Sequence, residues 1–312
     1  MDKITHFLYV PWTGLGLYGG YRGDRWLKNR IKIFKQFVLE SIKGQYDKDF
    51  VLWFSWRPEE KKNQIVRDFI SYMKNTGIKT VNTFHGVCFW DDKYPDEEAR
   101  ARLLESLRSS CGELIDVIGE SNWVYMTIQP SDDCYSRDLV SGMKKIFKET
   151  DVEAAGFVNG YMIHYPTMRV AEYNPTTTPP FFTIKFPRET FIDPLKHAEY
   201  TGPYKSHEYI SDRLKFGSIG QREFIVGTHG DNISTVFDHP FRGKELLGEE
   251  REVILDKFGL LGAEKLVVPF SIRRKIFGIM PYALKRKLRF LATEKKWILR
   301  SLFSLIYNFL RG

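Results

Sequence analysis

The segment WVYMTIQPSDDCYSRDLV, residues 123–140, decides the fold that this sequence predicts. Its alternating apolar run from Trp123 to Ile128 predicts a buried strand, which Pro130 ends. Two adjacent acids, Asp132 and Asp133, therefore follow the end of a core strand. Open α/β sheets bind ligands beyond the carboxyl ends of their strands, where two mutually repelling carboxylates suit a divalent cation or proton transfer. The alternative is a surface turn that happens to carry two aspartates.

Strands and helices alternate through the first 150 residues. Apolar runs predict the strands and 3.6-residue periodicity predicts the helices, in the order strand His6–Trp12, helix Arg25–Lys43, strand Asp49–Trp56, helix Glu59–Asn75, strand Ile78–Phe84, helix Pro95–Ile118, strand Trp123–Ile128 and helix Arg137–Glu149. This order predicts an α/β fold with a mainly parallel, Rossmann-type sheet and helices on both faces. Beyond residue 150 the sequence predicts short strands, among them a hairpin-like pair in Ala154–Tyr173.

Two later segments carry side chains suited to chemistry. EFIVGT predicts a short strand, and the tight HGDN turn after it places His229 beside Asp231 and Asn232. With the carboxylates at the end of an earlier strand, this histidine makes a mixed oxygen and nitrogen metal site, unless it only bonds within its own turn. In YKSHEYISD, Glu208 precedes a short helical pattern, where it is either a general base or a residue that caps the first helical turn.

Positive charge is concentrated at the C-terminal end. Residues 271–312 hold eleven Lys and Arg against one acid, Glu294, a net charge of +10, so the remaining 270 residues carry −2 of the chain's +8. Basic and apolar residues interleave at helical spacing in Lys285–Leu310, which is typical of an amphipathic helix on an anionic membrane surface. A packed C-terminal helix or a contact between copies of the chain are alternatives. The near-neutral body disfavours nucleic acid as a partner, because nucleic-acid enzymes spread positive charge along their groove.

The cysteines and the N-terminal residues bear on the cellular compartment. Cys88, Cys111 and Cys134 form no CxxC pair and no metal-ligand spacing. The start, MDKITHFLYVPW, does not match a secretory signal, and no apolar run reaches the length of a transmembrane helix. These features favour a reducing compartment. We therefore expect a cytoplasmic protein that is peripheral at the inner face of the cell membrane.

The order of these segments resembles that in the rhamnosyltransferase family of bacterial glycosyltransferases. The resemblance covers residues 1–240 and rests on the apolar first strand, an Arg-rich first helix that ends ESIKGQYDKDFVLWF, the strand that ends TIQPSDD, and the THGDNIST segment. TIQPSDD is similar to the family's Asp-Ser-Asp-Asp type of DXD motif, although Pro130 stands where the leading acid is expected. Enzymes of this family have the GT-A fold, a Rossmann-like sheet that binds a nucleotide sugar.

The resemblance implies roles for three residues. Asp133 would be the main ligand of a Mn²⁺ or Mg²⁺ ion, Asp132 would contact the metal or the ribose, and His229 would be the late ligand. Apart from the resemblance, we expect Arg25, in the Arg-rich first helix, to bind the donor and Glu208 to act as the catalytic base.

The resemblance also implies an organisation and an activity. Residues 1–150 would form the nucleotide-sugar-binding half and residues 151–268 the acceptor-side half of one GT-A domain, followed by a basic amphipathic tail at 269–312. The expected reaction is metal-dependent, inverting transfer of a sugar such as rhamnose from a nucleotide diphosphate donor to a glycan or lipid-linked acceptor. A nucleotidyltransferase, or a protein that binds nucleic acid or an anionic surface without glycosyl transfer, are the rival hypotheses.

Overall fold

The computed structural model describes residues 3–12, 23–86, 96–177, 179–201, 207–229, 232 and 235–267, apart from the side chains of Asp96 and of residues 207–209. The predicted tail, 269–312, and Asp231 lie outside the described residues, and so does the side chain of Glu208. No helix within the described ranges is long and apolar enough to cross a membrane.

Within the described residues, seven strands form one sheet in the order β10-β6-β9-β4-β1-β2-β3. Strand β1 lies inside the sheet, next to the central strand β4, and pairs in parallel with β2 and β4, while β2 pairs in parallel with β3. Strand β9 runs antiparallel to both of its neighbours. The strands of this sheet are β1 Ile4–Pro11, β2 Val51–Ser55, β3 Thr80–Thr83, β4 Trp123–Ile128, β6 Ala154–Phe157, β9 Phe182–Pro187 and β10 Phe216–Ile219.

In the described part of the chain, five further strands form a second sheet in the order β12-β8-β7-β11-β5. The neighbouring strands β7 and β11 run parallel, whereas β8 runs antiparallel to β7 and β5 runs antiparallel to β11. The strands are β5 Cys134–Tyr135, β7 Gly160–His164, β8 Arg169–Tyr173, β11 Phe224–Thr228 and β12 Arg242–Leu246. Of the strands predicted in Ala154–Tyr173, β7 and β8 form the hairpin and β6 joins the first sheet.

Helices cover both faces of the first sheet. They are α1 Asp24–Ile33, which continues through a π-helical turn, Phe34–Val38, into α2 Leu39–Lys43; α3 Gln64–Lys74, α4 Asp96–Ile118, α5 Leu139–Glu149, α6 Arg188–Ile192, α7 Pro194–Thr201 and α8 Gly248–Lys257. Short 3₁₀ helices lie at Pro58–Lys62 and His207–Asp212. The predicted α/β class, with a central sheet and flanking helices, is confirmed.

The packing of alternate residues of β1 on opposite faces of the sheet explains why the sequence of this strand is a continuous apolar run. Leu8 and Val10 belong to the core shared with Leu27 of α1, whereas Phe7 and Tyr9 belong to the core shared with Leu107 of α4. A strand that is covered on both faces needs apolar residues at every position. Its carboxyl end, together with that of β4, therefore remains as the place where polar side chains collect.

Candidate functional site

The candidate site begins where β4 ends. The residues from Gln129 to Asp133 lead from β4 of the first sheet to β5 of the second sheet. Backbone contacts hold this connection in place, because Nε2 of Gln129 donates to the carbonyl oxygen of Asp133 at 2.8 Å and Oη of Tyr165 donates to the carbonyl oxygen of Asp132 at 2.8 Å. The two predicted acids thus lie at the junction between the sheets.

The carboxylate of Asp132 is the centre of a polar cluster. Its Oδ2 atom forms an ion pair with the Arg30 guanidinium of α1 and lies 3.2 Å from Nε2 of His229. Nδ2 of Asn232 donates to the same oxygen at 3.2 Å. The side chains of Arg30 and His229 are 4% and 1% exposed, against 15% for Asp132. The aspartate is therefore the member of the cluster that solvent reaches most easily.

Asp133 has a different environment. Its Oδ1 atom accepts a hydrogen bond of 2.8 Å from the backbone N–H of Gly227 in β11, and the residue is buried. Successive side chains near a strand end point to opposite sides. Asp133 therefore ties the connection to the second sheet, whereas Asp132 faces His229.

The turn after β11 orients His229. Oδ1 of Asn232 accepts the backbone N–H of His229 at 2.7 Å, and Nδ2 of Asn232 also donates to the carbonyl oxygen of Gly227 at 2.5 Å. The asparagine closes the turn on itself while it bonds Asp132, which fixes the imidazole at the end of β11. The predicted HGDN turn thus meets the predicted SDD segment through His229 and Asn232.

Close packing at Gly227 brings these two segments together. A Cβ atom at this position would collide with the carbonyl oxygen of Asp132 and with the ring of Tyr165. Tyr165 in turn stacks on Phe37 of the π-helical turn, with ring centroids 3.8 Å apart. Glycine is therefore required here by the close approach of two backbones.

The two acids have pKa values shifted in opposite directions. Burial alone would raise the pKa of Asp132, but the Arg30 guanidinium and the hydrogen bond with His229 outweigh burial and lower the pKa to about 2. Burial and the neighbouring Asp132 charge raise the pKa of Asp133 above its usual range. Two carboxyl groups with pKa values shifted in opposite directions are common at functional sites, although structural ion pairs also produce such shifts.

The donor set partly suits a divalent cation. No group of three or more His, Cys, Asp or Glu side chains converges within the described residues. Asp132 and His229, however, supply one carboxylate oxygen and one imidazole nitrogen at the same point. Mg²⁺ is commonly bound by one or two carboxylates together with substrate phosphates and water, so two protein ligands are compatible with a cation that arrives with a diphosphate. The Arg30 guanidinium, which contacts the same oxygen, competes with such a cation.

The other predicted residues are placed as follows. Arg25 is exposed at the first turn of α1, and the arginine that contacts Asp132 is Arg30 on the same helix. Glu208 lies in the 3₁₀ helix His207–Asp212. The sequence analysis did not identify Arg30. A signal was present, because Arg30 lies on the helix face that buries Leu27 and Ile31. A basic residue on an apolar helix face indicates a buried ionic partner.

Comparison with known proteins finds distant structural similarity. No family model matches the sequence, and no curated protein matches it. The crystal structure of S. aureus TarS 1–349 is 12% identical with a TM-score of 0.37, and the match covers 72% of this chain and 60% of that one. The same protein in complex with UDP-GlcNAc is 10% identical over 91% of this chain and 72% of that one, with a TM-score of 0.38.

A further similar structure is Rv0371C of Mycobacterium tuberculosis H37Rv in complex with manganese. It is 10% identical with a TM-score of 0.31, and the match covers 72% of this chain and 91% of that one. In the first of the two TarS comparisons, this chain spans only 60% of the TarS 1–349 chain. Because their TM-scores are below 0.5, these similarities carry no argument about the function of this chain. The functional argument rests on the residues of the chain itself.

Proposed function

We propose that this protein is a GT-A-type glycosyltransferase that transfers a sugar from a nucleotide diphosphate donor to a glycan or lipid-linked acceptor. The observation that carries the proposal is the convergence of Asp132 and His229 at 3.2 Å beyond the carboxyl end of β4. This is the position where open α/β sheets bind nucleotides. The order of the TIQPSDD and THGDNIST segments, which resembles that of bacterial rhamnosyltransferases, supports rhamnose as the sugar.

Asp132 and His229 are the residues that would hold Mn²⁺ or Mg²⁺ together with the donor diphosphate. When bound, the cation would neutralise the negative charge that develops on the leaving diphosphate. Asp133 supports the site from behind, because its bond to the Gly227 N–H holds the connection against β11. Asn232 keeps the imidazole of His229 directed at Asp132.

Arg30 keeps Asp132 ionised while no donor is present. A buried carboxylate without a partner would take up a proton, and the guanidinium prevents this. The low pKa of Asp132 means that the carboxylate is available as a ligand throughout the physiological pH range. The proposed role of Arg25 as a donor contact rests on its positive charge alone, because Arg25 lies five positions before Arg30 and therefore on a different face of α1.

Glu208 is proposed as the base that removes the proton from the acceptor hydroxyl in an inverting displacement. The 3₁₀ helix that contains it precedes β10 and lies in the chain between the two segments of the site. General base catalysis requires only that the carboxylate reach the hydroxyl directly or through one water. The protein is further proposed to work at the cytoplasmic face of the membrane, with residues 269–312 as its membrane contact.

Thermal stability in the presence of nucleotides tests the donor site. We expect nucleoside diphosphates to stabilise the wild-type protein more with Mn²⁺ than without it, and Asp132→Asn to abolish this difference. Asp116→Asn, which changes an exposed aspartate of α4, is the matched control and should behave as the wild type. Stabilisation by nucleoside triphosphates in preference to diphosphates would favour a nucleotidyltransferase. No stabilisation by any nucleotide would contradict the proposal.

A further inference from the structure

The guanidinium of Arg30 lies between an acid and an aromatic ring. It forms the ion pair with Oδ2 of Asp132, and its Cζ atom lies 5.3 Å from the ring centroid of Trp26, one helical turn earlier on α1. Arginine is rarely buried to this extent unless its charge is matched. The ion pair therefore fixes one positive charge directly beside the carboxylate on which the candidate site is centred.

The Arg30–Asp132 pair differs from the other arginine pairs of the described residues. In each of the other arginine–carboxylate pairs the arginine side chain is 24–55% exposed, whereas that of Arg30 is 4% exposed. Water can solvate an exposed arginine that loses its partner, but a buried one needs another anion in its place. Any event that takes Asp132 away from Arg30 must therefore supply that anion.

Binding of a divalent cation by Asp132 is such an event. A metal ligand oxygen lies about 2 Å from Mg²⁺, and Oδ2 of Asp132 is already in contact with the guanidinium. Two positive groups on one oxygen repel each other strongly in a largely buried site. Arg30 must therefore leave Oδ2 before Asp132 can become a metal ligand there.

The donor diphosphate has the chemistry to receive Arg30. Its oxygens would lie beside Asp132, because a cation at such a site is shared between carboxylates and substrate phosphates. The planar fork of a guanidinium matches two phosphate oxygens at once, which a lysine cannot do. The contact with the Trp26 ring does not involve Asp132, so it still stabilises the charge while the guanidinium turns.

We propose that Arg30 is a ligand of the donor diphosphate, and that it passes from Asp132 to a phosphate oxygen when Asp132 becomes a metal ligand. This inference deepens the proposed function and rests on it. Asp132 accepts a cation only after Arg30 has left, and Arg30 leaves only when phosphate receives its charge. Coupling between two ligands is reciprocal, so cation and diphosphate should raise each other's affinity by the same factor.

Equilibrium binding by the full-length protein tests this role. The probes are Mn²⁺ alone and the diphosphates of uridine, thymidine, guanosine, cytidine and adenosine, each with and without the same free concentration of Mn²⁺. In the wild type we expect at least one diphosphate to bind at least about tenfold more tightly with Mn²⁺, which lies within the range usual for coupled sites. Arg30→Gln removes the charge. The matched control is Arg137→Gln, which removes an arginine from a more exposed ion pair with Asp256.

The variant should change two affinities in opposite directions. Arg30→Gln should bind Mn²⁺ alone at least about tenfold more tightly than the wild type, because Asp132 has lost its competing partner. It should bind the diphosphate in the presence of Mn²⁺ at least about tenfold more weakly, because a phosphate ligand is missing. Arg137→Gln should match the wild type in both. A purely structural role of Arg30 would lower both affinities together, and that result would overturn the inference.

The remaining outcomes separate this inference from the proposed function. If Mn²⁺ and a diphosphate bind the wild type independently, the donor site stands and the transfer of Arg30 is overturned. If no diphosphate binds the wild type even with Mn²⁺, the proposed function and the inference fail together.

Arg30→Lys replaces the first variant if Arg30→Gln does not fold. It keeps a positive charge for Asp132 but lacks the planar fork. It should therefore bind Mn²⁺ alone as weakly as the wild type does, and lose at least about tenfold in affinity for the diphosphate with Mn²⁺. Wild-type affinity of Arg30→Lys for the diphosphate would overturn the inference.

Discussion

Nε2 of His229 lies 3.2 Å from Oδ2 of Asp132, although 97 residues separate the two in the chain. Asp133, the immediate neighbour of Asp132, instead accepts the backbone N–H of Gly227. The two adjacent acids therefore have separate tasks, one towards the open side of the site and one towards the second sheet. This separation makes their substitutions distinguishable.

Asp132→Asn should lower glycosyl transfer by about 10²-fold or more, since the amide loses the ligand charge. It should also lower stability, because the buried Arg30 guanidinium loses its anionic partner. Asp133→Ala should lower stability as well but impair transfer much less. It leaves the buried Gly227 N–H without its acceptor, which costs about 1–3 kcal/mol of stability. Urea unfolding and transfer assays on both variants check this contrast. Equal effects of the two substitutions on both readouts would contradict separate roles.

Arg30→Met should destabilise the protein by about 3–5 kcal/mol, because it leaves the Asp132 carboxylate buried without its cationic partner. Added Mn²⁺ should then raise the melting temperature more in the variant than in the wild type, since the cation no longer competes with the guanidinium. Lys35→Met, on the same helical segment, is a control for loss of one positive charge. An unchanged response to Mn²⁺ in Arg30→Met would mean that the guanidinium and the cation do not share Asp132.

Gly227→Ala should unfold the site or the whole protein, because the added methyl group would collide with the Asp132 carbonyl and the Tyr165 ring. Gly142→Ala on α5 is the matched control, since a Cβ there meets nothing within 4 Å. Alanine is favoured over glycine in a helix by about 0.5–1 kcal/mol, so the control should be as stable as the wild type or slightly more so. Thermal unfolding followed by circular dichroism separates the two. A Gly227→Ala protein of normal stability would disprove the close approach of the two segments.

Glu208→Gln should retain nucleotide binding and lose sugar transfer by about 10²-fold or more, because the amide cannot accept the acceptor proton. Nucleotide binding by thermal shift and transfer to an acceptor glycan are the two measurements. Asp212→Asn, at the end of the same 3₁₀ helix, serves as the comparison. Near-normal turnover in Glu208→Gln together with a loss in Asp212→Asn would assign the base to Asp212.

Acidification should destabilise the protein through two buried histidines. Burial, reinforced by Lys144, lowers the pKa of His6 to about 3, and burial lowers the pKa of His197 to about 4. Below their unfolded pKa of 6.5 the unfolded chain binds more protons than the folded chain, so stability falls as the pH drops from about 6.5 towards 4. His6→Gln should weaken this pH dependence in urea unfolding at about pH 7 and about pH 5. An identical pH dependence in the variant would exclude His6 as a cause.

The parallel part of the fold was predictable because its strands are covered on both faces. Their near-continuous apolar runs identify β1, β2 and β4 within one or two residues of the observed bounds. The second sheet was not predictable in the same way. Its strand β5 has only two residues, Cys134–Tyr135, and it pairs with β11, which follows almost ninety residues later. Such pairings depend on tertiary contacts and leave no periodic signal.

For the site, sequence identified the segments but not the partners within them. The end of β4 and the HGDN turn do meet, yet which of Asp132 and Asp133 faces His229 depends on the path of the connection between the sheets. Which arginine of α1 contacts Asp132 likewise depends on the rotation of the helix about its axis. The buried face of α1 includes Leu27 and Arg30, whereas Arg25 is exposed. The roles of Arg25 and Glu208 stay predictions.

The connection from β4 to β5 also has a consequence for the order of folding. It carries the chain out of the first sheet and into the second, and the Asp132 cluster draws on residues 30, 132, 229 and 232. Contacts between residues so far apart in sequence form slowly, because the entropy of closing the intervening loops is lost before the contacts are gained. A nascent chain that has completed only its first 150 residues lacks His229 and cannot hold a donor. Catalytic competence should therefore be among the last properties to appear during refolding, after most secondary structure has formed.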